Sequence, residues 1–266
     1  MQKIINKLKQ SHCEPRHFGK AWQSKFFITL VVLFFSSTAF SAPIDTFKNE
    51  KLYYTIMWQG ICIGEASMCF TQNSQGLCEI NVSAGTNEFF SAIYPVEDKI
   101  VSIINSKTLL PIKFEKKLRE GKHNSDESCE FNQAKLIATR IKNNQKTPVA
   151  MPKDTHDPIS CLYAFRLLDM KKDASFSINS RGKNHVLNVN ILNKETLEIR
   201  KHGTFKTIVV SPKLDYEGVF MHNGEIYIWF TDDAYKIPLK MECKLKFGKA
   251  VAYLDFEKTQ AKGLAR

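Results

Sequence analysis

The sequence predicts a mainly β protein, a curved antiparallel sheet or open half-barrel with one principal helix packed on its concave side. Short runs rich in β-branched and aromatic residues recur along the chain between turn residues. The clearest helix start is at Asp157 and Pro158, a capping residue followed by proline. The last two runs alternate apolar and charged residues, which is typical of a sheet with one face buried.

Residues 1–41 have the three parts of a secretory signal peptide. A basic stretch precedes the apolar run FFITLVVLFFSSTAF, and the small residues Ala39 and Ser41 place cleavage after Ser41. The remaining chain, 42–266, is predicted to be a single β-rich periplasmic domain. An uncleaved membrane anchor is the alternative.

Charge limits the partners of the exported chain. The full sequence has 38 basic and 27 acidic residues, and removal of residues 1–41 leaves 32 and 26. This modest positive charge is spread along the strands, which suits a protein near anionic lipid. Nucleic acid is not expected as a partner of an exported chain.

The first half of the domain reads as a meander of strands. LYYTIMW (52–58) and ICIGEASMCF (61–70) flank Gln59 and Gly60, which predicts a hairpin. GLCEINVSA (76–84) continues it, and VEDKIVSII (96–104) follows a short helical turn at 88–94. Further runs between 109 and 141 are predicted to turn at Glu120–Gly121 and Asn132–Gln133. The polar stretch 142–156 reads as a surface loop.

The second half begins with the helix. Asp157 is its predicted N-cap, and the segment 157–170 is apolar around most of its circumference, so we expect it to be buried against the sheet. Strands follow to the end of the chain, giving ten or so in total. A two-residue turn at Gly248–Lys249 would place Cys243 opposite Leu254.

Six cysteines follow the leader, an even number that favours disulfides in an oxidising compartment. If Asn73 and Ser74 are the centre of a tight hairpin, Cys69 lies directly opposite Cys78, and we predict a disulfide between them. The alternative is a four-residue loop, which moves Cys78 out of alignment and leaves both thiols free.

Catalytic and metal-binding motifs receive little support from the sequence. Asp232 and Asp233 follow the run IYIWF where the chain must reverse, so we interpret them as turn residues. The alternative is a hydrolase that uses this pair with His222. The histidines and cysteines lack metal-site spacing and no phosphate loop is present, so the sequence predicts a non-enzymatic protein without metal or cofactor.

Aromatic residues are the strongest sign of a ligand. An apolar cavity inside a curved sheet would be lined by such side chains; packing without any ligand is the alternative. The candidate ligand-binding residues are Trp58, Phe70, Tyr163, Phe165, Trp229 and Met241, with Phe89 and Phe90 as further candidates for the lining.

Several segments together resemble a family of exported bacterial proteins of unknown function, domain-of-unknown-function family 3108. They are YTIMWQGICIGEASM, TLLPIKF, DPISCLYAFR, GTFKTIVVSPKL and IYIWFTDDAYKIPLKMECKLKFGKAVAYL, in this order over nearly the whole mature chain. The resemblance implies an open half-barrel with an internal helix, like that of the LolA/LolB-type lipoprotein carriers. It implies no activity.

These observations predict a non-enzymatic periplasmic binding or carrier module for an apolar or acylated envelope ligand, a lipid or a lipoprotein. The first alternative is an envelope scaffold or assembly factor that binds protein partners through an exposed strand edge or apolar patch. The hydrolase that uses Asp232 or Asp233 is the second.

Overall fold

A computed structural model of the protein describes residues 44–215, 225–245 and 248–264, and these form fourteen strands and two α-helices. The predicted signal peptide and His222 lie outside the described residues. The strands are β1 Lys51–Trp58, β2 Ile61–Gln72, β3 Leu77–Thr86, β4 Glu97–Asn105, β5 Pro111–Glu120, β6 His123–Asn132, β7 Ile137–Lys142, β8 Gln145–Ala150, β9 Ala174–Ser180, β10 Lys183–Ile199, β11 Gly203–Asp215, β12 Glu225–Thr231, β13 Pro238–Leu245 and β14 Gly248–Leu254. The helices are α1 Glu88–Ser91 and α2 Pro158–Arg166, and a 3₁₀ turn spans Ile44–Thr46.

All fourteen strands belong to one antiparallel sheet, in the order β8-β7-β6-β5-β4-β3-β2-β1-β14-β13-β12-β11-β10-β9. The chain therefore makes two meanders, β1–β8 and β9–β14, which are joined where β1 pairs with β14. Among the described residues no ladder joins the edge strands β8 and β9, so the sheet is open. The predicted fold class is confirmed, with more strands than the ten or so expected.

The sheet curves around α2. Asp157, the residue before this helix, accepts a hydrogen bond from Ser102 on β4, while Phe165 packs on Phe230 of β12. Because β4 and β12 are far apart in the sheet order, one helix contacts both only if the sheet bends around it. The two edges also approach each other, since His156 pairs with Ile178 of β9.

The start of α2 is as predicted, and its end is earlier. The Asp157 carboxylate accepts the backbone N–H groups of Ile159 and Ser160, and the Ser160 hydroxyl accepts the N–H of Asp157, which completes a capping box. The helix ends at Arg166 rather than at Met170, because the next residues form a tighter turn in which Leu168 N–H donates to the Phe165 carbonyl.

The predicted disulfide between Cys69 and Cys78 is wrong. Strand β2 ends at Gln72 and β3 begins at Leu77, so the loop has four residues, the alternative named above. Cys69 lies opposite Asn81, and Cys78 lies opposite Gln72. The shift of three residues turns the two side chains to opposite faces of the sheet, and both thiols are free.

The C-terminal hairpin also has a different register from the predicted one. Cys243 pairs with Ala250 instead of Leu254, because Leu245 pairs with Gly248 and the reversal is centred two residues earlier than in a Gly248–Lys249 turn, which moves each pairing partner by four residues. The shift is even, so Cys243 keeps the predicted inward direction and is buried beside the other core residues.

One strand was missed altogether. The polar stretch read as a loop contains β8, which pairs with β7 through a turn at Asn143 and Asn144. Both residues have positive φ, 50° and 60°, the geometry of a tight two-residue hairpin turn that asparagine tolerates. The Asn-Asn pair was thus the local signal for this hairpin.

Candidate functional site

The six predicted ligand-binding residues do not come together on one surface. Phe70, Tyr163, Phe165 and Met241 are buried in the core around α2, where the rings of Phe70 and Tyr163 lie 5.1 Å apart. Trp58 is partly buried and packs against the same core. These side chains contact the protein itself, and their role as ligand contacts stays a prediction.

Trp229 lies on the opposite face of the sheet. It alternates with the buried Ile228 and Phe230, its indole N–H donates to Glu195, and the ammonium of Lys240 lies 3.8 Å from its ring centroid. The ring is partly exposed, on the face of β12 away from the two buried side chains. Trp229 therefore does not line the interior, contrary to the expectation.

The aspartates after β12 form a turn, as interpreted from the sequence. A single carboxylate oxygen of Asp233 accepts the hydroxyl of Thr231 and the backbone N–H groups of Tyr235 and Lys236. Asp232 forms an exposed ion pair with Lys194. These contacts give both aspartates structural partners.

A fully buried ion pair holds the C-terminal end of α2. The guanidinium of Arg166 makes two hydrogen bonds of 2.6 Å to the carboxylate of Glu50 and donates further to the backbone carbonyls of Tyr235 and Lys236. The ring of Phe47 lies 4.6 Å away from it. Every donor group of this arginine has a partner, which marks the pair as structural.

At the N-terminal end of the same helix, burial disfavours charge on His156. Its ring contacts the hydroxyl of Ser160 and stands edge-on to Phe176. Because no water solvates the imidazolium there, burial lowers the pKa of His156 to about 4. The imidazole is thus neutral near pH 7.

A different situation exists at the end of the sheet where β4 begins and β5 ends. Asp98 and Glu120 point to the interior and are 4% and 0% exposed, and Tyr94 lies in the connection that leads into β4. We name Tyr94, Asp98 and Glu120 the carboxylate cluster. The bridge between Val96 and Glu120 and the hydrogen bond from Arg119 N–H to Asp98 Oδ1 (3.0 Å) hold these segments together.

The cluster is short of hydrogen-bond partners. Among the described protein atoms, Asp98 Oδ2, both Glu120 carboxylate oxygens and the Tyr94 hydroxyl are buried and have none. Each buried polar atom left without a partner is costly, and native proteins contain few of them. Four such atoms in one place distinguish this cluster from the Arg166–Glu50 pair.

The pKa values of all three members of the cluster are raised. Burial raises the pKa of Asp98 to about 6, opposed by the hydrogen bond from Arg119 N–H. Burial, and next the negative charge of Asp98, raise the pKa of Glu120 to about 8. Burial followed by the charges of Glu120 and Asp98 also raises the pKa of Tyr94. Near pH 7 the two carboxyls therefore hold about one proton between them.

The buried Lys116 belongs to a neighbouring group of ion pairs. Lys116, which points to the same interior as Glu120, lies 2.7 Å from Glu127, and Arg140 contacts the other oxygen of Glu127 at 2.7 Å. The carboxylate cluster thus shares the interior with cations whose closest partner is a different carboxylate.

The carboxylate cluster was not predicted from the sequence. A signal was present in the run VEDKIVSII, where Asp98 shares the inward face of a strand with Val96 and Ile100. A carboxylate in the apolar phase of an alternating strand is a buried polar group that needs an explanation. Its partner Glu120 had been assigned to a turn and so was not considered.

Large apolar side chains are exposed beside the cluster. Phe89 and Ile93 are 71% and 69% exposed in the connection that also carries Tyr94, and Ile61 is 59% exposed at the start of β2. Asn87 ties this connection to β2 through hydrogen bonds to the carbonyls of Cys62 and Ile63. We name Ile61, Phe89 and Ile93 the apolar rim.

Residues 44–215, 225–245 and 248–264 contain neither a candidate metal centre nor a candidate membrane-spanning helix. No group of three or more histidine, cysteine, aspartate or glutamate side chains is arranged to hold a metal ion there. No helix in these residues is long and apolar enough to cross a membrane.

A single curved antiparallel sheet wrapped around a buried helix defines the class: a β half-barrel protein. The chain belongs to the family described as "Protein of unknown function (DUF3108)", which matches residues 53–255. The resemblance found in the sequence is thereby confirmed. No curated protein matches the chain.

The solved structures that match this chain include the following two. One is a beta-barrel-like protein of Domain of Unknown Function DUF1849 from Brucella abortus, with a TM-score of 0.56 and 7% sequence identity, covering 79% of this chain and 96% of that one. The other is the hypothetical protein CT021 from Chlamydia trachomatis, with a TM-score of 0.31 and 8% identity, covering 79% and 88%. At this identity the first similarity shows the barrel-like fold alone.

Proposed function

We propose that this protein is a non-enzymatic binding or carrier module of the cell envelope for an apolar or acylated ligand, a lipid or a lipoprotein. The observation that carries the proposal is the apolar rim. Three large side chains, each more than half exposed, lie at the same end of the sheet. Apolar side chains clustered in solvent mark surfaces that bind other molecules.

The proposed contact is at the rim and not in the middle of the sheet. Helix α2 occupies the concave face, and Phe70, Tyr163 and Phe165 pack against each other or against neighbouring rings there. An acyl chain laid on Phe89 and Ile93 needs no displacement of this packed core.

Export to the periplasm is part of the proposal, supported by the leader at residues 1–41. Fractionation of cells that produce the full chain, followed by N-terminal sequencing, tests it. We expect the mature protein in the periplasm, beginning at Ala42. Recovery of the uncut chain in the cytoplasm would contradict this part.

A displacement assay with a fluorescent fatty acid tests the ligand class. We expect saturable binding to the folded mature protein, and loss of about tenfold in affinity for the double variant Phe89→Ser/Ile93→Ser, because both changes remove apolar contact area. Leu192→Ser is the matched control, since Leu192 is an exposed apolar residue on β10, away from the rim. Absence of saturable binding together with absence of co-purifying lipid would exclude the carrier function.

A scaffold that binds protein partners is the second candidate, favoured by the edge strand β8, whose residues are mostly exposed. Pro148 argues against this candidate. It lies in the same strand and has no N–H to donate, which makes the edge a poor template for pairing with another strand. Co-purification of a protein whose binding is lost in a β8 variant, with fatty-acid binding absent, would favour this alternative.

The hydrolase alternative is the least supported. Asp233 is engaged by three donors of its own turn, and Asp232 is paired with Lys194. We expect the variant Asp232→Asn/Asp233→Asn to keep ligand binding. Hydrolysis of an ester substrate by the wild type, abolished in this stably folded variant, would restore the enzyme interpretation.

A further inference from the structure

The carboxylate cluster presents acceptors for which the described part of the chain provides no donors. The acceptors are Oδ2 of Asp98 and both oxygens of Glu120, and the adjacent hydroxyl of Tyr94 has no partner among these residues either. Asp98 and Glu120 are more than nine-tenths buried. The only donor that reaches the pair from the described protein atoms is the backbone N–H of Arg119, on Asp98 Oδ1.

Three charged groups from two elements act on the pair, and none forms an ion pair with it among the described residues. Lys116 on β5 is engaged with Glu127. The guanidinium of Arg119, also on β5, is paired with the exposed Asp126. Arg181 acts through its charge from the turn after β9. The negative charge of the cluster therefore lacks a direct partner.

We propose that Tyr94, Asp98 and Glu120 bind a primary ammonium group, R–NH3+. Such a group has three N–H donors and one positive charge, and the cluster offers three unpaired carboxylate oxygens and a negative charge. A quaternary ammonium brings charge without a donor, and an alcohol brings one donor without charge. The match in both number and sign selects the primary amine.

Tyr94 is the partly exposed member of the cluster, although its hydroxyl is buried. Its ring lies against Gly121, where an added Cβ would be 2.6 Å from the ring, so the ring packs on the backbone next to Glu120. The preceding residue, Ile93, belongs to the apolar rim. A ligand with an amine head group and an apolar tail can therefore occupy the cluster and the rim together.

The site stands apart from the proposed acyl-binding function, because it needs only these three side chains and a small amine. Its occupancy depends on pH in a defined direction. Near pH 7 one proton neutralises one of the two carboxylates, Asp98 or Glu120. A bound ammonium ion would supply this positive charge instead, so binding releases the proton to the buffer. Alkylamines stay protonated up to about pH 10. Affinity is thus expected to rise from pH 6 to pH 8.

Isothermal titration of the mature protein with ethylammonium chloride tests the inference. We expect binding at pH 8 that is about tenfold tighter than that of tetramethylammonium, since charged hydrogen bonds are lost with the methylated ion. Titration in two buffers of different ionisation enthalpy should reveal release of a proton. Equal affinity for the two ions, or no binding of either, would overturn the proposal.

Variants locate the site. Asp98→Asn and Glu120→Gln keep the shape of the side chains, and each should weaken ethylammonium binding about tenfold or more. Glu97→Gln is the matched control, because Glu97 is the exposed neighbour of Asp98 and is paired with Lys99. Thermal unfolding must show that each variant is folded. Unchanged binding in both folded cluster variants would refute the assignment.

The carboxyl resonances give a second readout. In carbon NMR of the wild type, ethylammonium should shift the titration of Asp98 and Glu120 to lower pH, because a bound cation favours the ionised carboxylates. If fatty-acid binding persists while these resonances do not respond, the ammonium site is wrong and the proposed function stands. The opposite result would leave the ammonium site in place and exclude the acyl ligand.

Discussion

The two ends of the sheet each bury a carboxylate, and they treat it differently. At the end of α2, Glu50 receives two hydrogen bonds from Arg166, which is itself fully buried and donates its remaining bonds to backbone carbonyls. At the other end, Asp98 and Glu120 have three oxygens without a partner in the described chain. The three carboxylates are buried to a similar extent, but hydrogen-bond donors reach Glu50 and, apart from one backbone N–H, do not reach Asp98 and Glu120 from the described residues.

The difference separates a structural charge from a candidate site. A buried ion pair whose hydrogen bonds are complete holds two elements in register, since breaking it leaves a charge stranded in the core. Carboxyls without partners raise the free energy of the folded state and keep their capacity to bind something else. Completeness of hydrogen bonding therefore says more about role than burial does.

Removing Arg166 should have the largest effect on stability. Arg166→Ala leaves Glu50 buried and unpaired, and we expect a loss of about 3–5 kcal/mol in the free energy of unfolding. Urea denaturation monitored by tryptophan fluorescence measures it. The double variant Glu50→Gln/Arg166→Met should recover part of the loss; a single variant as stable as wild type would abolish the distinction between the two ends.

Removing Asp157 should have a smaller effect. Asp157→Ala removes the acceptor of two helix N–H groups and of the Ser102 hydroxyl, and we expect a loss of about 1–2 kcal/mol. Asp157→Asn, which keeps an acceptor oxygen, should lose less. Equal losses for the two variants would show that the cap is not what stabilises α2.

Removing the charge of Glu120 should stabilise the protein, whereas the substitutions of Arg166 and Asp157 should destabilise it. The folded pKa values of Asp98 and Glu120, about 6 and 8, lie above ordinary carboxyl values. Proton binding by these two carboxyls therefore favours the folded state. This contribution to the free energy of unfolding is complete below about pH 4 and is lost as the pH rises to 8. Glu120→Gln should gain about 1–3 kcal/mol at pH 8 and little at pH 4.

The same pH series contains a contribution of opposite slope. The lowered pKa of His156, about 4, means that stability falls as the pH drops from about 6.5 to 4, because the unfolded chain takes up the proton. Comparing Glu120→Gln with wild type at each pH cancels this contribution. An identical pH dependence in the two proteins would contradict the shifts assigned to the cluster.

Removing Asp232 should have the smallest effect. Its contact with Lys194 is largely exposed, and we expect Asp232→Asn to change the free energy of unfolding by no more than about 0.5 kcal/mol. Thermal unfolding at low and high salt measures it. A loss comparable to that of Arg166→Ala would mean that exposed and buried pairs contribute alike in this fold.

Local patterns in the sequence were sufficient for most strands of the sheet, though not for β8, and for the start of α2. The hairpin at Gln59 and Gly60 and the cap at Asp157 depend on neighbouring residues only, and both are as predicted. The β2–β3 register was not predictable in this way. It depends on whether Asn73 closes a two- or a four-residue loop, and its side chain accepts the N–H groups of Gln75 and Leu77 in the longer one.

The carboxylate cluster and the Glu50–Arg166 pair were beyond local reasoning. Glu50 and Arg166 are 116 residues apart in the chain, and only the curvature of the sheet brings them together. Asp98 interrupts an apolar alternation, so its burial was predictable. The lack of donors around it was not, since that depends on where Lys116 and Arg119 direct their own side chains.

The ladder between β1 and β14 has a consequence for how the chain folds. Trp58 pairs with Ala250, so the contact that joins the two meanders closes a loop of nearly the whole domain. Each meander can assemble from adjacent hairpins, while this last seam waits until the final strand is available. A chain cut before Gly248 would keep most of its hairpins and yet expose the edges of β1 and β13, two long templates for association with other chains.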